Sequence, residues 1–268
     1  MAVAGVAFDV MELELGARRF DISHRSVVVG MVRSDSANGG DLVARVDALV
    51  AAGVDAIDLG GVELAPGGVV GAVGLVRSAV GLPLWVTTGS ASVASACVEA
   101  GADVVVDPTG FSDPGLLAAC AAAGASVVAS GPGGDVTVSP RHAVASACER
   151  LEGLVARAAA SGIPAERLMV DPAGDPVHRG LPFGLGLQVS QVLADRGHRV
   201  VVSVVTGHTH TDTDTDTGPG TPGAGGSEGR DVAIQALAVA RGCRIVRTND
   251  VRVARRVTSV VGAVLERR

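Results

Sequence analysis

The chain has 268 residues, of which 47% are hydrophobic, and its formal net charge is -6. This acidic balance, with only 2% aromatic residues, excludes both the basic surface and the stacking side chains of nucleic-acid-binding proteins. The longest apolar runs, such as residues 118–129, are shorter than the roughly 18 residues of a membrane span, and residues 1–15 lack the basic start of a secretory signal. We therefore predict a cytoplasmic protein without a nucleic-acid or membrane partner.

Two residue types restrict the chemistry further. All 22 basic residues are Arg and none is Lys, so a mechanism that needs a lysine amine is excluded. The four cysteines lie far apart in Ala-rich or Val-rich segments and form no C-x-x-C pair, which favours buried thiols over a zinc or redox site. These cysteines are Cys97, Cys120, Cys148 and Cys243.

The first predicted element is a short β-hairpin. Residues 11–23, MELELGARRFDIS, alternate apolar and polar side chains on both sides of Gly16, and this alternation is typical of two strands joined by a tight turn. We expect this hairpin to close the N-terminal mouth of a barrel.

From residue 27 onward, short Val-rich runs alternate with Ala-rich stretches of helical length, which is the pattern of repeated βα units around a parallel sheet. Strands are predicted at residues 27–32, 56–60, 83–87, 103–107, 126–129, 168–171, 199–204 and 244–247. Eight units with short connections predict a single (β/α)8 TIM barrel over residues 1–268, and a doubly wound open sheet is the alternative.

One low-complexity segment follows the seventh predicted strand. Residues 206–229 contain a single apolar residue, Ala224, and this composition predicts a disordered loop. Its HTHTDTDTDT run could present alternate side chains, beginning with His208 and His210, as metal ligands along one side of an extended segment. A flexible polar tract is the preferred interpretation, because nothing in the sequence preorganises these ligands.

The segments around the predicted strand ends carry a family resemblance. They read VVVGMVRSDSANGG at residues 27–40, GVDAIDLGGVELAPGG at 53–68, AGADVVVDPTG at 100–110, GIPAERLMVDPAGD at 162–175 and ARGCRIVRTNDV at 240–251. In this order, behind an N-terminal hairpin, they resemble the dihydropteroate synthase family over nearly the whole chain. The most specific combination is D-x-I-D-x-G-G on the second strand with R-I-V-R-x-x-D-V on the eighth.

The resemblance implies a pterin-binding transferase of folate biosynthesis, which joins a dihydropterin pyrophosphate to p-aminobenzoate with Mg2+ and releases pyrophosphate. Asp171 matches the family Asp that binds the pterin amino group, and Arg247 matches the phosphate-binding Arg. Asp107 remains beside Val106, which replaces the pterin-binding Asn. The other interpretations of these side chains stay open: an internal salt bridge or a loop cap for Asp58 and Asp107, and a structural ion pair for Arg247 with Asp250 or a neighbouring carboxylate.

The departures from the family pattern fall on the same loops. Arg33 stands at the Asn associated with Mg2+ and pyrophosphate, where a cation repels the metal but offers paired donors to a phosphate. Only Asp35, Ser36 and the turn at Asn38 survive from the mobile loop that follows. No metal ligand is therefore assigned, and Mg2+ is implied by the resemblance alone.

Three further replacements weaken the implied pterin site. Thr87 replaces a pterin-contacting Asp, and Asn249 replaces the His that completes the phosphate clamp. Ser203 begins the segment where the family has Ser-Arg-Lys-Ser, so the family's Lys has no counterpart. The substrate-binding candidates are Asp171, Arg247, Asn249, Asp107, Arg33, Asp35, Asn38, Thr87 and Ser203.

Three functions are compatible with these residues. The first is a dihydropteroate synthase-like protein with reduced or lost activity, because most catalytic positions are replaced. The second is a noncatalytic paralogue that acts as a binding or regulatory partner. The third is a barrel enzyme for another small phosphorylated ligand, with Arg33 and Arg247 as anion donors and Asp171 as acid or base. A homodimer is a further expectation, and the paralogue of the second case could instead dimerise with a true synthase.

Overall fold

The computed structural model describes residues 11–32, 39–60, 68–130, 139–172, 183–205 and 226–265. The chain begins there with the predicted hairpin, in which β1 (Glu12–Leu15) and β2 (Arg18–Asp21) pair antiparallel around Gly16. The turn requires glycine for two reasons. Its φ is +59°, and a Cβ atom at this position would lie 2.0 Å from a carboxylate oxygen of Asp103.

The eight predicted parallel strands are all confirmed, with ends that differ from the prediction by at most two residues. They are β3 (Val27–Met31), β4 (Ala56–Asp58), β5 (Leu84–Thr87), β6 (Val104–Asp107), β7 (Ser126–Ala129), β8 (Leu168–Val170), β9 (Val201–Val204) and β10 (Ile245–Thr248). Their order is β8-β7-β6-β5-β4-β3-β10-β9. A bridge between Val170 and Val200 joins the two outer strands, and the amide of Val170 donates to the carbonyl of Arg199 at 2.9 Å. The sheet is therefore a barrel, and the open-sheet alternative is wrong.

Helices follow the strands and cover the outside of the barrel. They are α1 (Gly39–Ala51), α2 (Gly68–Ala79), α3 (Ala91–Glu99), α4 (Leu116–Ala123), α5 (Pro140–Ala160), α6 (Phe183–Asp195), α7 (Gly226–Ala240) and α8 (Val251–Leu265), with a 3-10 turn at Ala165–Arg167. Their buried faces pack on the outward side chains of the strands to form the larger of two apolar cores. No helix in the ranges given above is long and apolar enough to cross a membrane.

The second core fills the barrel interior from its N-terminal end. Leu13, Leu15, Phe20 and Ile22 of the hairpin pack against inward side chains of the strands, so the hairpin closes the N-terminal mouth as predicted. The hydroxyl of Ser126 donates to the carbonyl of Glu14 at 2.6 Å and holds the hairpin to the start of β7.

The strand registers arrange the inward side chains in layers of four, each drawn from alternate strands, as is usual for this barrel. The deepest complete layer contains Ala56, Val104, Met169 and Ile245. Above it lies the floor layer of Val29, Trp85, Val128 and Val201. The polar layer of Asp58, Val106, Asp171 and Arg247 follows, and Met31, Thr87, Ser130 and Ser203 form the rim layer. Towards the carboxyl ends of the strands, the layers thus change from apolar to polar.

Candidate functional site

The polar layer holds a buried ion pair. Arg247 ends up inside the barrel because β10 alternates inward and outward residues, and its Nε atom donates to Oδ2 of Asp58 at 2.5 Å. The exposed fractions of the two side chains are 3% and 0%. Nη2 of Arg247 lies 3.4 Å from the hydroxyl of Thr87 in the rim layer. Asp58, rather than Asp250, is therefore the carboxylate that pairs with Arg247 here.

The backbone after β4 closes over this ion pair. Oδ1 of Asp58 accepts the amide of Gly60 at 2.8 Å. A Cβ atom on Gly60 would lie 2.5 Å from the hydroxyl of Thr87 and 3.0 Å from Oδ1 of Asp58. A glycine is required there because the chain passes too close to both side chains for a larger residue.

A second carboxylate lies in the same layer. Asp171 follows β8 directly, is 2% exposed, and its Oδ2 atom accepts the hydroxyl of Ser203 at 2.7 Å. Ser203 comes from β9, the neighbouring strand across the bridge that closes the barrel. Two sequence-predicted site residues are thus brought together, and the hydroxyl fixes the orientation of the carboxylate at the barrel mouth.

Asp107 has a different environment from Asp58 and Asp171. It ends β6 on the outward face, because Val104 and Val106 are the inward residues of that strand. Oδ1 accepts the amide and hydroxyl of Thr109 at 2.6 and 2.7 Å, and Oδ2 accepts the amide of Phe111 at 2.9 Å. This geometry is that of a loop cap, one of the two interpretations left open by the sequence, and it gives no support to ligand binding.

The remaining candidates are placed less centrally. Thr87 is half-buried at the rim, next to the ion pair, and Asn249 is half-buried just after β10. Asp250 serves the next helix instead of Arg247, since its Oδ1 atom accepts the amide of Val253 at 3.1 Å. Arg33, Asp35 and Asn38, and the loop at 206–225, lie outside the described residues.

A small cleft opens beside the ion pair, between the ends of β4 and β5 and the starts of α2 and α3. Its volume is about 240 Å³, and it is lined by Leu59, Gly60, Val69, Thr87, Thr88 and Val93. Thr87 contributes to both the cleft and the rim layer. The lining offers hydroxyl groups and apolar walls, and none of these six side chains is charged.

Sequence reasoning missed two polar side chains of the barrel interior. Trp85 precedes Thr87 by two residues and Ser130 follows Val128 by two, so the alternation along a strand would have placed both inside the barrel. Trp85 is 0% exposed and Ser130 is 1% exposed.

The thiols are unsuited to catalysis or metal binding. All four cysteines are free and buried, as predicted. Burial raises the pKa of the Cys243 thiol to about 12 and that of the Cys120 thiol to about 11. Within the described ranges, no group of three His, Cys, Asp or Glu side chains could hold a metal ion. The Mg2+ implied by the resemblance depends on position 33, outside those ranges.

Comparisons with known proteins agree with this architecture. The family described as pterin binding enzyme matches residues 31–249. "Inactive dihydropteroate synthase 2" of Mycobacterium leprae is 30% identical over 240 residues, which are 80% of this chain and 79% of that protein. The protein of the same name from Mycobacterium tuberculosis is 29% identical over 258 residues, with 84% of this chain and 76% of that protein covered.

A solved structure gives the same result for the fold. Dihydropteroate synthase from Xanthomonas albilineans in complex with 7,8-dihydropteroate superposes with a TM-score of 0.78 at 24% identity, covering 95% of this chain and 98% of that chain. The family match spans most of the chain, and the relative from Mycobacterium leprae reaches 30% identity over most of its length. The chain therefore belongs to the pterin-binding enzyme family.

Proposed function

We propose that this chain is a dihydropteroate synthase-like protein that still binds a pterin but has reduced or lost synthase activity. The observation that carries the proposal is the buried Asp171 carboxylate, which matches the family's pterin-binding Asp and accepts the Ser203 hydroxyl at 2.7 Å, in a chain that has no counterpart of the family's Lys. The names of the mycobacterial relatives, which describe those proteins as inactive, support it.

The charges of the polar layer, in a chain with no Lys to add to Arg247, explain the expected loss of activity. The layer combines one guanidinium, Arg247, with two carboxylates, Asp58 and Asp171. A pyrophosphate leaving group needs an excess of positive charge that is already oriented towards it. Within the described part of the barrel interior, the Asp58 carboxylate offsets the charge of Arg247 and Asp171 adds a further negative charge, so the layer disfavours an anion.

The same layer retains what a neutral heterocycle needs. Asp171 is buried, and its hydrogen bond from Ser203 holds the carboxylate in one orientation. A fixed, buried carboxylate binds donor groups of a ring strongly, because hydrogen bonds to charged groups are stronger than neutral ones. We therefore expect the pterin ring to provide most of the binding free energy and the pyrophosphate group to add little.

Calorimetry with two ligands tests how the binding free energy is divided between the pterin ring and the pyrophosphate group. The purified chain is titrated with 6-hydroxymethyl-7,8-dihydropterin and with its pyrophosphate ester, with and without Mg2+. We expect similar dissociation constants for both ligands and, for Asp171→Asn, weakening of both by about tenfold or more. Asp113→Asn is the matched control, because its carboxylate accepts the Ala91 and Gly115 amides in an outer loop.

Two results would contradict the proposal. One is binding of the pyrophosphate ester about a hundred times more tightly than the alcohol, with the excess lost in Arg247→Ala. The other is formation of dihydropteroate from the ester and p-aminobenzoate at the rate of an active synthase.

We further propose that the chain forms a homodimer through α7 and α8. Leu237 on α7 and Val260 and Val264 on α8 are 47%, 65% and 57% exposed, and these helices pack side by side. The second half of α8, TSVVGAVL, carries no charge, and its small residues allow a close approach of another helix. A second copy fits this surface, because a twofold interface places the same apolar patch against itself.

We also propose a cytoplasmic location. The four cysteines are free and buried, which suits a compartment that keeps thiols reduced. Fractionation of the source cells with an antibody against the chain tests this, and recovery outside the cytoplasmic fraction would contradict it.

A further inference from the structure

Trp85 is the largest fully buried side chain and the only tryptophan of the protein. It lies in the floor layer, directly beneath the polar layer, because it is in register with Asp58 on one side and Val104 on the other. Its indole N–H is buried and has no hydrogen-bond partner among the described residues. A buried donor without an acceptor lowers the stability of the folded state, so the presence of an indole N–H at this position calls for an explanation.

The side chains directly below Trp85 offer this N–H no strong acceptor. The deepest complete layer consists of Ala56, Val104, Met169 and Ile245, and the hairpin beneath it adds Leu13, Leu15, Phe20 and Ile22. Methionine sulfur is the strongest acceptor among these side chains, and it is a weak one. Acceptor side chains lie on the other side of Trp85, in the polar and rim layers, towards the open end of the barrel.

A second polar atom lies near the same wall of the barrel. The hydroxyl of Ser130, 1% exposed in the rim layer, also has no hydrogen-bond partner among the described residues. Trp85 comes from β5 and Ser130 from the end of β7, so they flank β6, which contributes only Val106 to the polar layer. Asp171, the carboxylate acceptor, comes from the next strand, β8.

We propose that the indole N–H of Trp85, together with the Ser130 hydroxyl, determines ligand specificity by donating to an acceptor on the inner edge of a planar ligand over Val106. The ligand class is a neutral heterocycle with a carbonyl oxygen or ring nitrogen on one edge and N–H donors, facing Asp171, on another. This inference rests on the proposed pterin-binding function and assigns the donor groups of that site. Val106 supplies an apolar surface for the ring between the two sets of polar groups.

The single tryptophan makes the test direct, because a 15N-labelled sample gives one indole N–H resonance in a proton–nitrogen correlation spectrum. The probe is 6-hydroxymethyl-7,8-dihydropterin, titrated into the full chain. We expect the indole resonance to shift with a saturation curve that matches the calorimetric dissociation constant. Trp85→Phe, which keeps an aromatic ring without the donor, should weaken binding by about two- to tenfold.

Two further variants keep the test decisive. Met169→Leu changes the layer below without altering a donor and should leave the dissociation constant unchanged. Ser130→Ala should weaken binding by a similar factor to Trp85→Phe. If Trp85→Phe does not fold, Ser130→Ala and the wild-type titration together test whether these two donors bind the ligand. An unmoved indole resonance at saturation, with unchanged affinity in Ser130→Ala, would overturn this inference while leaving the proposed function intact. An absence of binding heat in the wild type would overturn both.

Discussion

The two ends of the barrel use charged side chains in opposite ways. At the N-terminal end, Glu14 pairs with Arg19 and Arg167 at 2.7 and 2.9 Å, next to the hairpin that closes the barrel. At the carboxyl end, the polar layer contains the Asp58–Arg247 pair together with Asp171. The first arrangement ties chain segments together, whereas the second places charge where a ligand would enter. Under the proposed function, stability and binding thus depend on different ends of one fold.

At the N-terminal end, the same carboxylate arrangement occurs at two positions around the barrel. Asp55 and Asp103 each stand just before a strand and accept the backbone amide of the neighbouring strand, that of Val28 or Leu84, at 2.8 Å. Each carboxylate also pairs with arginine: Asp55 with Arg25 and Arg255, at 2.6 and 2.8 Å, and Asp103 with Arg77, at 2.6 Å. These carboxylates fix the start of one strand beside the next.

The largest loss of stability is expected where the hairpin contacts the Asp103 carboxylate. Gly16→Ala puts a side chain at φ +59° and a Cβ atom 2.0 Å from the Asp103 carboxylate, which must then leave Arg77 and the Leu84 amide. We expect the free energy of unfolding to fall by about 2–4 kcal/mol, measured by urea denaturation.

Gly74→Ala is the matched control for this change. Gly74 lies within α2 with open space around its added Cβ, so the same substitution should raise the free energy of unfolding by up to about 1 kcal/mol. Neither variant should change the affinity for the dihydropterin, because neither residue lies near the polar layer. A large change in affinity for Gly16→Ala would contradict the separation of the two ends.

A smaller loss of stability, with a change in binding, is expected at the other end. Asp58→Asn keeps the shape of the side chain but removes the charge that offsets Arg247 in a buried ion pair. We expect a loss of about 2–3 kcal/mol in the free energy of unfolding, because a guanidinium is left without its carboxylate partner. The affinity for inorganic pyrophosphate should rise by about tenfold, measured by calorimetry, because Arg247 can then bind the anion.

The comparison for this variant is Asp55→Asn. It also removes a buried carboxylate charge, but at the N-terminal end, and should lower stability without changing pyrophosphate affinity. Equal pyrophosphate affinity in the wild type and Asp58→Asn would show that the ion pair is not what excludes the anion.

The smallest effect on stability is expected on the outer helices, away from both ends. Val260→Arg places a charge on a side chain that is already 65% exposed, so the free energy of unfolding should change by less than about 0.5 kcal/mol. If α7 and α8 form the dimer interface, light scattering should show that Val260→Arg lowers the molecular mass from that of two chains to that of one. Val50→Arg on α1, at a position 41% exposed, is the control and should leave the mass unchanged. A monomeric wild type would exclude the proposed interface.

Most of the fold could be predicted from the sequence because its signals are local. The Val-rich runs lie between Ala-rich stretches of helical length, and a parallel strand buried on both faces reads as such a run. The hairpin was predicted from the alternation around Gly16.

The candidate site could be predicted only in part. Asp171, Arg247, Ser203 and Thr87 were selected because the family resemblance places the site at the ends of their strands, and the structure places all four at the carboxyl end of the barrel. Asp107 satisfied the same criterion, yet it faces outward and caps its own loop.

The sequence by itself determined the number and order of the strands, the closing hairpin, the absence of lysine and the family resemblance, since each depends on neighbouring residues or on composition. Only the tertiary structure decided that Asp58 pairs with Arg247, 189 residues further along the chain, and that Trp85 lies beneath them. The physical reason is that barrel closure and register set which strand ends face each other. A single residue's shift along a strand turns a side chain from the barrel interior to the helices.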